Sequence, residues 1–349
     1  MGAKKPQTAC EGARKASMPS SIRPMLATLV NKPFSDSDWL FETKWDGVRA
    51  ICFIRKGRAR FVSRNQLEMT GQYPELANIA SYIKGEETVL DGEIVALDEH
   101  GVSKFQLLQP RLGRKNPREI ESLAAKSRIA FYVFDLLYLD GFDLTRCALI
   151  DRKGLLQRIL KPSNNVRYSD HIVGEGERLF REVAKIPLEG VVAKRAGSLY
   201  VQKRSREWLK IKTIQESEVV VGGFTEPRNT RMHFGALVVG LYKGKELHYV
   251  AHVGGGFNHH SLDQLFKLMK PLRTQRCPFV EKPITNEPVQ WVEPKLVAQV
   301  KFSEWTADGR LRHPVFLGLR EDKKPEQCVF EAEQPTGKVL AKTGRRAGR

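Results

Sequence analysis

Long apolar segments are missing from this 349-residue sequence, which has no run of about 18 consecutive apolar residues and no apolar N-terminal segment. A helix that spans a bilayer needs the first feature, and a secretory signal needs the second. We therefore expect a cytosolic protein that makes no contact with a membrane.

Cysteine is scarce, and its spacing does not resemble that of a metal site. The five cysteines are scattered and never form a C-x-x-C pair: Cys10, Cys52, Cys147, Cys277 and Cys328. Zinc knuckles need paired spacings, and disulfide-rich domains normally have an even number of cysteines. We therefore expect reduced thiols, no disulfide framework and no zinc knuckle.

Acidic residues are outnumbered by basic ones, with 40 Asp and Glu against 58 Lys and Arg, and the net charge is +18. Such a field attracts polyanions, so nucleic acid is the expected partner. A ribosome-like or merely basic soluble protein is the alternative on composition alone. The apolar share of 41% and the charged share of 28% are typical of a globular protein.

The length and the pattern of short apolar runs predict two domains, divided near residue 214. Residues 21–214 contain β-rich runs that indicate an antiparallel meander over 38–62, buried strands at 88–97 and 128–141, and helical spacing at 150–160 and 177–186. This is an α+β pattern with antiparallel sheets. Residues 215–327 contain five strand candidates and a helix at 261–270, which predicts an all-β barrel of the OB type.

Both ends of the chain are basic and lack apolar periodicity. Residues 1–20 are rich in Lys, Ala, Ser and Gly, and residues 328–349 end in the run AKTGRRAGR. We expect two flexible basic tails, which would either contact phosphates non-specifically or be dispensable.

The segment from Lys44 to Arg49 has the form K-x-D-G-x-R and lies between two strand candidates. A plain hairpin is one interpretation, because Asp-Gly is a strong turn signal. The other is a nucleophilic lysine at the edge of a sheet, whose pKa is lowered by burial and by neighbouring cations. Such an amine could attack a phosphorus atom.

Later segments decide between these interpretations. They follow in a fixed order along the chain: Asp91-Gly92-Glu93, Phe134-Asp135, Glu189 to Lys194, Trp208 to Lys212, and Arg320 to Lys323. In this order they resemble the covalent nucleotidyltransferases, a superfamily of ATP-dependent DNA ligases, RNA ligases and mRNA capping enzymes. Residues 21–325 are most similar to the ligase domain of bacterial end-joining ligases and their stand-alone relatives.

The resemblance implies a nucleotidyltransferase (adenylation) domain followed by an OB-fold, with a role for each matching residue. Lys44 would carry AMP, Glu42 would read the adenine amino group, and Phe134 would stack on adenine. Arg49 and Arg64 would bind phosphate. The family often has glycine where this chain has Gln66, after Ser63-Arg64-Asn65, which puts the geometry of that turn in question.

Glu93 would bind the ribose hydroxyls, and Glu189 together with Glu93 would hold a metal ion. Lys210 and Lys212, two apart on a strand, should share one face. The resemblance implies that this face contacts the α-phosphate, with Lys194 nearby. The barrel residues would act on ATP only when their domain closes over it. The other nucleotide-binding positions implied by the resemblance are Thr43, Arg320, Asp322 and Lys323.

The resemblance further implies ATP and Mg²⁺ as cofactors, with Mn²⁺ as an alternative metal, because Mg²⁺ suits a site with few carboxylates beside phosphates. Nicked double-stranded DNA would be the substrate, in a monomeric, nucleoid-associated bacterial protein with a role in DNA repair and an end-binding repair protein as a family-level partner. The alternatives are an RNA ligase or capping-type nucleotidyltransferase, and an inactive nucleic-acid-binding relative. The missing cysteine pairs argue against an NAD-dependent ligase.

Overall fold

The computed structural model describes residues 10–186, 188–227 and 232–344. The chain divides into two compact units. Unit 1 contains the described residues up to Thr213 and from Ala332 onward, and unit 2 contains Ile214–Glu331.

Among its described residues before the unit boundary, unit 1 contains twelve strands and four α-helices, with short 3-10 turns between them. The strands are β1 (Arg14–Lys15), β2 (Leu26–Leu29), β3 (Trp39–Thr43), β4 (Val48–Arg55), β5 (Arg58–Ser63), β6 (Glu87–Leu97), β7 (Arg128–Leu139), β8 (Phe142–Asp143), β9 (Val166–Tyr168), β10 (Ile172–Val173), β11 (Gly190–Arg195) and β12 (Arg204–Lys212). The helices are α1 (Phe105–Leu108), α2 (Pro117–Ala124), α3 (Leu149–Ile159) and α4 (Gly176–Val183).

These strands form two sheets. The first has the order β1-β8-β7-β6-β4-β5, with β9 beside β7, and the second has the order β10-β3-β11-β12-β2. Neighbours are antiparallel except for β7 with β9 and β12 with β2. The α+β architecture with antiparallel sheets is therefore confirmed.

The apolar core of unit 1 lies on both faces of the first sheet. One face packs its side chains in a large cluster with residues of α1 and α3, such as Phe105 and Leu156. The other face contributes Ile51 and Phe53 to a cluster that also contains Leu40 and Trp208 of the second sheet. The two sheets therefore pack face to face, and burial of this apolar surface stabilises their arrangement.

The expected meander over 38–62 is wrong in one respect. Strands β4 and β5 form an antiparallel hairpin, but β3 pairs with β10 and β11 in the other sheet. The segment from Lys44 to Gly47 is therefore a crossing between sheets and not a hairpin turn. Gly47 is required there, because a β-carbon would overlap the carbonyl oxygen of Ile94 on β6.

Unit 2 contains one antiparallel sheet and one long helix. Its strands are β13 (Glu216–Thr225), β14 (Leu237–Lys243), β15 (Glu246–Val253), β16 (Arg273–Thr274), β17 (Val289–Lys301) and β18 (Val315–Leu319), and its helix is α5 (His259–Met269). The order is β15-β14-β13-β17-β16, with β18 beside β17. A bridge between Gly255 and Val315 brings β18 back towards the β15 edge, and the OB-fold is confirmed.

Helix α5 begins at a capping box, in which the Asn258 side chain accepts from the Ser261 main chain at 2.8 Å and Ser261 Oγ accepts from the Asn258 main chain at 2.9 Å. These bonds satisfy main-chain groups that a helix end would leave unpaired. Leu262, Leu265 and Met269 face the core of unit 2. The helix therefore lies close to its predicted span of 261–270.

The structure differs from the expectation of two flexible tails. Near the start of the chain, β1 pairs with β8 and Cys10 is buried. Near the end, a sixth helix, α6 (Thr336–Gly344), packs on unit 1, and the Thr336 main chain donates to Asn31 Oδ1 at 3.2 Å. These partners are distant in sequence, so local composition does not reveal them. Residues 1–9 and 345–349, which belong to the same prediction, lie outside the described residues.

The expectation of reduced thiols is also wrong for one pair. Cys10 and Cys147 form a disulfide, with Cα atoms 6.0 Å apart, while Cys52, Cys277 and Cys328 are free. The pairing of β1 with β8 brings together cysteines separated by 137 positions. In the part of the chain that the structure describes, none of the helices is long and apolar enough to cross a bilayer.

Gln66 has the backbone conformation that the sequence left in question. Its φ is +61°, in the left-handed region that favours glycine. The Gln66 main chain donates to the Ser63 carbonyl at 2.9 Å, and its side-chain amide donates to the Ile22 carbonyl at 2.9 Å. These bonds offset part of the backbone strain.

Candidate active site

Lys44 lies where the chain leaves the second sheet and crosses to the first. Its main-chain N–H donates to the Gly190 carbonyl at 2.8 Å, which continues the pairing of β3 with β11 by one residue. Beyond it, the Asp46 carboxylate accepts from the Phe105 main chain at 2.9 Å. The lysine is thus held at the end of β3, where the chain passes from one sheet to the other.

The register of the second sheet places the predicted lysines on one face. Val192 pairs with Glu42 on one side and with Lys210 on the other. Gly190 pairs with Lys212, and the Lys44 main chain bonds to the same glycine. Because side chains of directly paired residues point the same way, these residues form two adjacent rows on one face.

A third row completes this face, because Lys194 pairs with Leu40 and with Trp208. Thr43 is the exception among the predicted positions on β3. It pairs with Val191 and points to the opposite face, since neighbouring residues of a strand alternate. Its side chain is therefore not brought to the face that carries Lys44.

Glu189 forms an ion pair with Lys44, and both side chains are largely buried. Burial alone would lower the pKa of the Lys44 ammonium, but the carboxylates of Glu189, Glu93 and Asp46 outweigh it, and the pKa lies above its usual value. The expectation of a lowered pKa is therefore wrong for this state, because carboxylates and not cations are the dominant charged neighbours. The amine must lose this proton before it can act as a nucleophile.

Glu42 is buried and bound by three side chains. Lys153 Nζ of α3 lies 2.9 Å from Glu42 Oε1, and Lys194 Nζ lies 2.9 Å from Oε2. The Ser169 hydroxyl donates to Oε2 at 3.2 Å. Burial would raise the pKa of this carboxyl, but the two ammonium groups outweigh it and hold the pKa below its usual value. The carboxylate is therefore ionised.

Ser169 also links this cluster to the residue beside the lysine. Trp45 Nε1 donates to Ser169 Oγ at 3.1 Å, and the Trp45 ring stacks on Tyr132 with centroids 3.7 Å apart. The hydroxyl therefore contacts both Glu42 and Trp45. Glu42 and Trp45, which lie on either side of Lys44 in the chain, are thus both held in place by the buried Ser169.

Arg49 is bound through two nitrogens to Asp91, with Nε–Oδ1 at 2.5 Å and Nη2–Oδ2 at 2.6 Å. The Tyr200 hydroxyl donates to the same carboxylate at 2.6 Å. Burial would lower the pKa of the guanidinium, but Asp91 outweighs it and raises the pKa further above its usual value. Arg49 is a fixed, permanently charged group at the site.

Phe134 lies among these cations between the two sheets. The Arg49 guanidinium carbon lies 4.5 Å from the centre of its ring, and Lys194 Nζ lies 4.0 Å from it. The ring meets Trp208 edge to face, with centroids 6.2 Å apart. Since Phe134 is only 6% exposed, stacking on a base requires one of these neighbours to move.

Glu93 pairs with Arg49 on β4 and with Tyr132 on β7, so it shares their face of the first sheet. Together with Glu189 it supplies two carboxylates near Lys44. Within residues 10–186, 188–227 and 232–344, no group of three or more His, Cys, Asp or Glu side chains could hold a metal ion. Two carboxylates fit Mg²⁺, which keeps several waters and binds substrate phosphates.

The predicted site residues of unit 2 follow β18. Arg320 binds both oxygens of Asp322 at 2.8 Å, and Lys323 Nζ lies 3.1 Å from Glu218 of β13. Burial would raise the pKa of Asp322, but Arg320 outweighs it and the pKa is lowered. These residues form one charged cluster within unit 2. In unit 1, Arg64 directly follows β5.

Two family models match this chain in the order of the two units. Residues 24–212 match the ATP dependent DNA ligase domain, and residues 230–323 match the ATP dependent DNA ligase C terminal region. The chain belongs to the ATP-dependent DNA ligase family. The resemblance inferred from the motifs is therefore confirmed.

Relatives of this chain include multifunctional end-joining proteins. The chain is 38% identical over 324 residues to the multifunctional non-homologous end joining protein LigD of Mycolicibacterium smegmatis, which covers 91% of this chain and 41% of that protein. It is 35% identical over 340 residues to the LigD protein of Pseudomonas aeruginosa, covering 95% and 39%. The chain thus spans about two fifths of the length of these curated relatives.

The fold is also similar to that of a solved ligase. A structure of mycobacterial DNA ligase D complexed with ATP and MES superimposes with a TM-score of 0.64 at 34% identity, covering 89% of this chain and 98% of that one. This similarity extends over both units of the ligase chain.

Three buried partners of the candidate site residues were not predicted from the sequence: Lys153, Ser169 and Tyr200. The adjacent cations Arg152 and Lys153 lie between the apolar residues Leu149, Leu155 and Leu156 in a segment with helical spacing, which was a usable signal, because buried charges need partners. Arg152 binds both oxygens of Asp135, at 2.7 and 2.8 Å. Ser169 and Tyr200 carry no such signal in the sequence.

Proposed function

We propose that this chain is an ATP-dependent DNA ligase that seals nicks in duplex DNA through a covalent lysyl-AMP intermediate on Lys44. The observation that carries the proposal is the face of the second sheet, on which Lys44, Lys210 and Lys212 occupy adjacent rows. A nucleophilic amine there lies beside cations that can offset phosphate charge.

In the first step, the Lys44 Nζ lone pair attacks the α-phosphorus of ATP. A nitrogen–phosphorus bond forms, the bond to the bridging oxygen breaks, and pyrophosphate leaves with the electron pair. The amine must be unprotonated for this attack, and Glu189 is the carboxylate in contact with its proton. Binding of nucleotide must therefore separate the Lys44–Glu189 pair.

Cations around the amine would stabilise the charge that develops on the phosphate oxygens. Lys210 and Lys212 would contact the α-phosphate. Arg49, held by Asp91, would present a fixed guanidinium to the phosphate of the nucleotide or of the nick. Arg64 would do the same from the turn after β5, and Lys194 supports the pocket through Glu42.

The base of the nucleotide would bind between the two sheets. Glu42 would accept a hydrogen bond from the adenine amino group, and Phe134 would stack on the ring. The ionised state of Glu42 supports the first role, because an ionised carboxylate only accepts hydrogen bonds. Thr43 would contribute through its main chain, because its side chain points to the other face.

Glu93 and Glu189 would hold the divalent cation, Mg²⁺ or Mn²⁺, and Glu93 would also bind the ribose hydroxyls. When bound, the cation would supply positive charge that offsets the phosphates. It would also compete with Lys44 for Glu189, since the cation and the Lys44 ammonium would bind the same carboxylate oxygens. That competition favours the unprotonated amine.

In the second step, an oxygen of the 5′-phosphate at the nick attacks the AMP phosphorus and the bond to Lys44 breaks. In the third, the 3′-hydroxyl attacks the 5′-phosphorus, a phosphodiester forms and AMP leaves. Arg320, Asp322 and Lys323 would assist the first step when unit 2 closes over ATP, and unit 2 would then open to admit DNA. The net charge of +18 supports a polyanionic substrate.

The end-joining relatives favour a role in DNA repair, in the bacterial cytoplasm with the nucleoid as the site of action. We propose a monomer that works with an end-binding repair protein. Family membership favours DNA over RNA strands as the substrate. The rate of nick sealing on all-DNA duplexes, compared with the rate on duplexes that contain an RNA strand, would measure that preference.

Reaction with magnesium and ATP radiolabelled at the α-phosphate, followed by a denaturing gel, tests the central step. Wild-type protein should retain the label after denaturation, and Lys44→Ala should not. Lys44→Arg should also fail, because guanidinium keeps its proton near neutral pH. Label that survives in either variant would assign the intermediate to another residue.

A further inference from the structure

Lys153 is a buried cation that the proposed chemistry does not use directly. It lies on α3 and is fully buried. Its Nζ lies 2.9 Å from Glu42 Oε1 and 3.0 Å from the Ser169 carbonyl oxygen, and 4.5 Å from the centre of the Tyr168 ring. Its one charged partner in these contacts is Glu42.

Charge balance alone does not require Lys153. One carboxylate, Glu42, faces two ammonium groups, and Lys194 by itself would neutralise it. Burial, the larger effect, and the charge of Lys153 lower the pKa of Lys194 to about 8, although Glu42 opposes this. A second buried cation therefore weakens the protonation of the first. Its presence calls for a role other than neutralisation.

The contacts of Glu42 indicate that role. Lys153 binds Oε1, while Lys194 and Ser169 bind Oε2, so the plane of the carboxylate is held at both ends. An ionised carboxylate offers about four acceptor positions, and these three bonds leave one. Glu42 shares its face of the sheet with Lys210, in the row next to Lys44.

An acceptor fixed in this way distinguishes bases by the group that they carry at C6. Adenine carries an amino donor at C6, which can fill the remaining acceptor position. Guanine carries a carbonyl oxygen there, which the carboxylate repels. Without Lys153, Oε1 loses its partner and the carboxylate can rotate about its single bond, so that its remaining acceptor position is no longer held towards one atom of the base.

We infer that Lys153 is a positioning residue that sets base selectivity by holding Glu42 with its free acceptor position towards the 6-amino group of the nucleotide. This inference rests on the proposed function, because it concerns the nucleotide that reacts with Lys44. Ser169 supports the same carboxylate from the other oxygen.

Lys153→Met tests the inference, because it keeps the length of the side chain and leaves Glu42 paired with Lys194. The probes are ATP, GTP and purine riboside triphosphate, which lacks the 6-amino group. The readout is the rate of covalent labelling of the full chain, measured by intact-mass spectrometry over a range of nucleotide concentrations. Arg158→Met, which removes an exposed cation from the same helix, is the matched control.

Wild type and Arg158→Met should prefer ATP strongly over the other two nucleotides. In Lys153→Met, both preferences should fall by about tenfold or more, since they depend on one oriented hydrogen bond. The change should raise the ATP concentration needed for half-maximal labelling and leave the maximal rate nearly unchanged. A structural defect would instead reduce labelling by all three nucleotides equally.

Equal loss with all three nucleotides, or unchanged preferences, would overturn the positioning role while leaving the proposed function intact. Absence of labelling in wild type would overturn the proposed function and the inference with it. If Lys153→Met does not fold, Ser169→Ala serves in the same comparison. It removes an uncharged partner of Glu42 and should lower the ATP preference in the same direction.

Discussion

Asp91 binds Arg49 through both carboxylate oxygens, at 2.5 and 2.6 Å, and is itself fully buried. Asp91→Asn should therefore remove the nearest counter-ion of a charged guanidinium. We expect a loss of about 3 to 5 kcal/mol in the free energy of unfolding, as for other broken buried pairs. Urea denaturation measures it.

Tyr200→Phe provides the matched control for that variant, because it removes no charge but only two hydrogen bonds, one donated to Asp91 and one accepted from the Met25 main chain. Its cost should be about 2 kcal/mol, at about 1 kcal/mol for each bond. Equal costs for the two variants would mean that the charge of Asp91 contributes nothing beyond a hydrogen bond.

Gly190 separates the Lys44 and Lys212 positions on the sheet, with a φ of +148°. A β-carbon there would overlap the carbonyl oxygen of Ile211. Gly190→Ala should destabilise unit 1 by about 2 kcal/mol or more and displace the start of β11, which Glu189 directly precedes. Thermal unfolding measures the first effect. Gly197→Ala, with no atom near the added carbon, should stay within about 0.5 kcal/mol of wild type.

Lys194 should make stability depend on pH above neutrality. Burial lowers the pKa of its ammonium to about 8, from an ordinary value of 10.5. Between these values the unfolded chain holds a proton that the folded chain has released, so stability rises with pH. The free energy of unfolding of wild type, minus that of Lys194→Met, should increase by up to about 1.4 kcal/mol per pH unit in this window.

Denaturant titrations of both proteins between pH 7.5 and 10.5 would give that difference directly. Other groups titrate in the same range, but they are common to both proteins and cancel. A difference that is flat or falls as the pH rises would show that Lys194 keeps its proton in the folded state.

DNA binding should depend steeply on salt, because the chain carries a net charge of +18. The slope of log K against log salt should be about −0.9 for each phosphate neutralised. Labelling of Lys44 by ATP should respond less, because short-range contacts hold a small ligand. Fluorescence anisotropy with a nicked duplex measures the slope. A flat curve would mean that the positive charge does not form a duplex-binding surface.

The sequence by itself determined the fold class, the family and most of the cations of the site. Strand periodicity was sufficient to place Lys210 and Lys212 on one face, because side chains alternate along any strand. The order of five short segments was sufficient to identify the ligase family. These features are local, so they do not depend on which strands meet.

Only the tertiary structure decided which distant segments meet. Strands β3 and β4 are neighbours in sequence but lie in different sheets, which turns the Lys44 to Gly47 segment into a crossing. Lys153 contacts Glu42 although the two residues are 111 positions apart in sequence, and Cys10 contacts Cys147 although they are 137 positions apart. Local patterns show which face of a strand is buried, whereas its partner depends on the packing free energy of the whole unit.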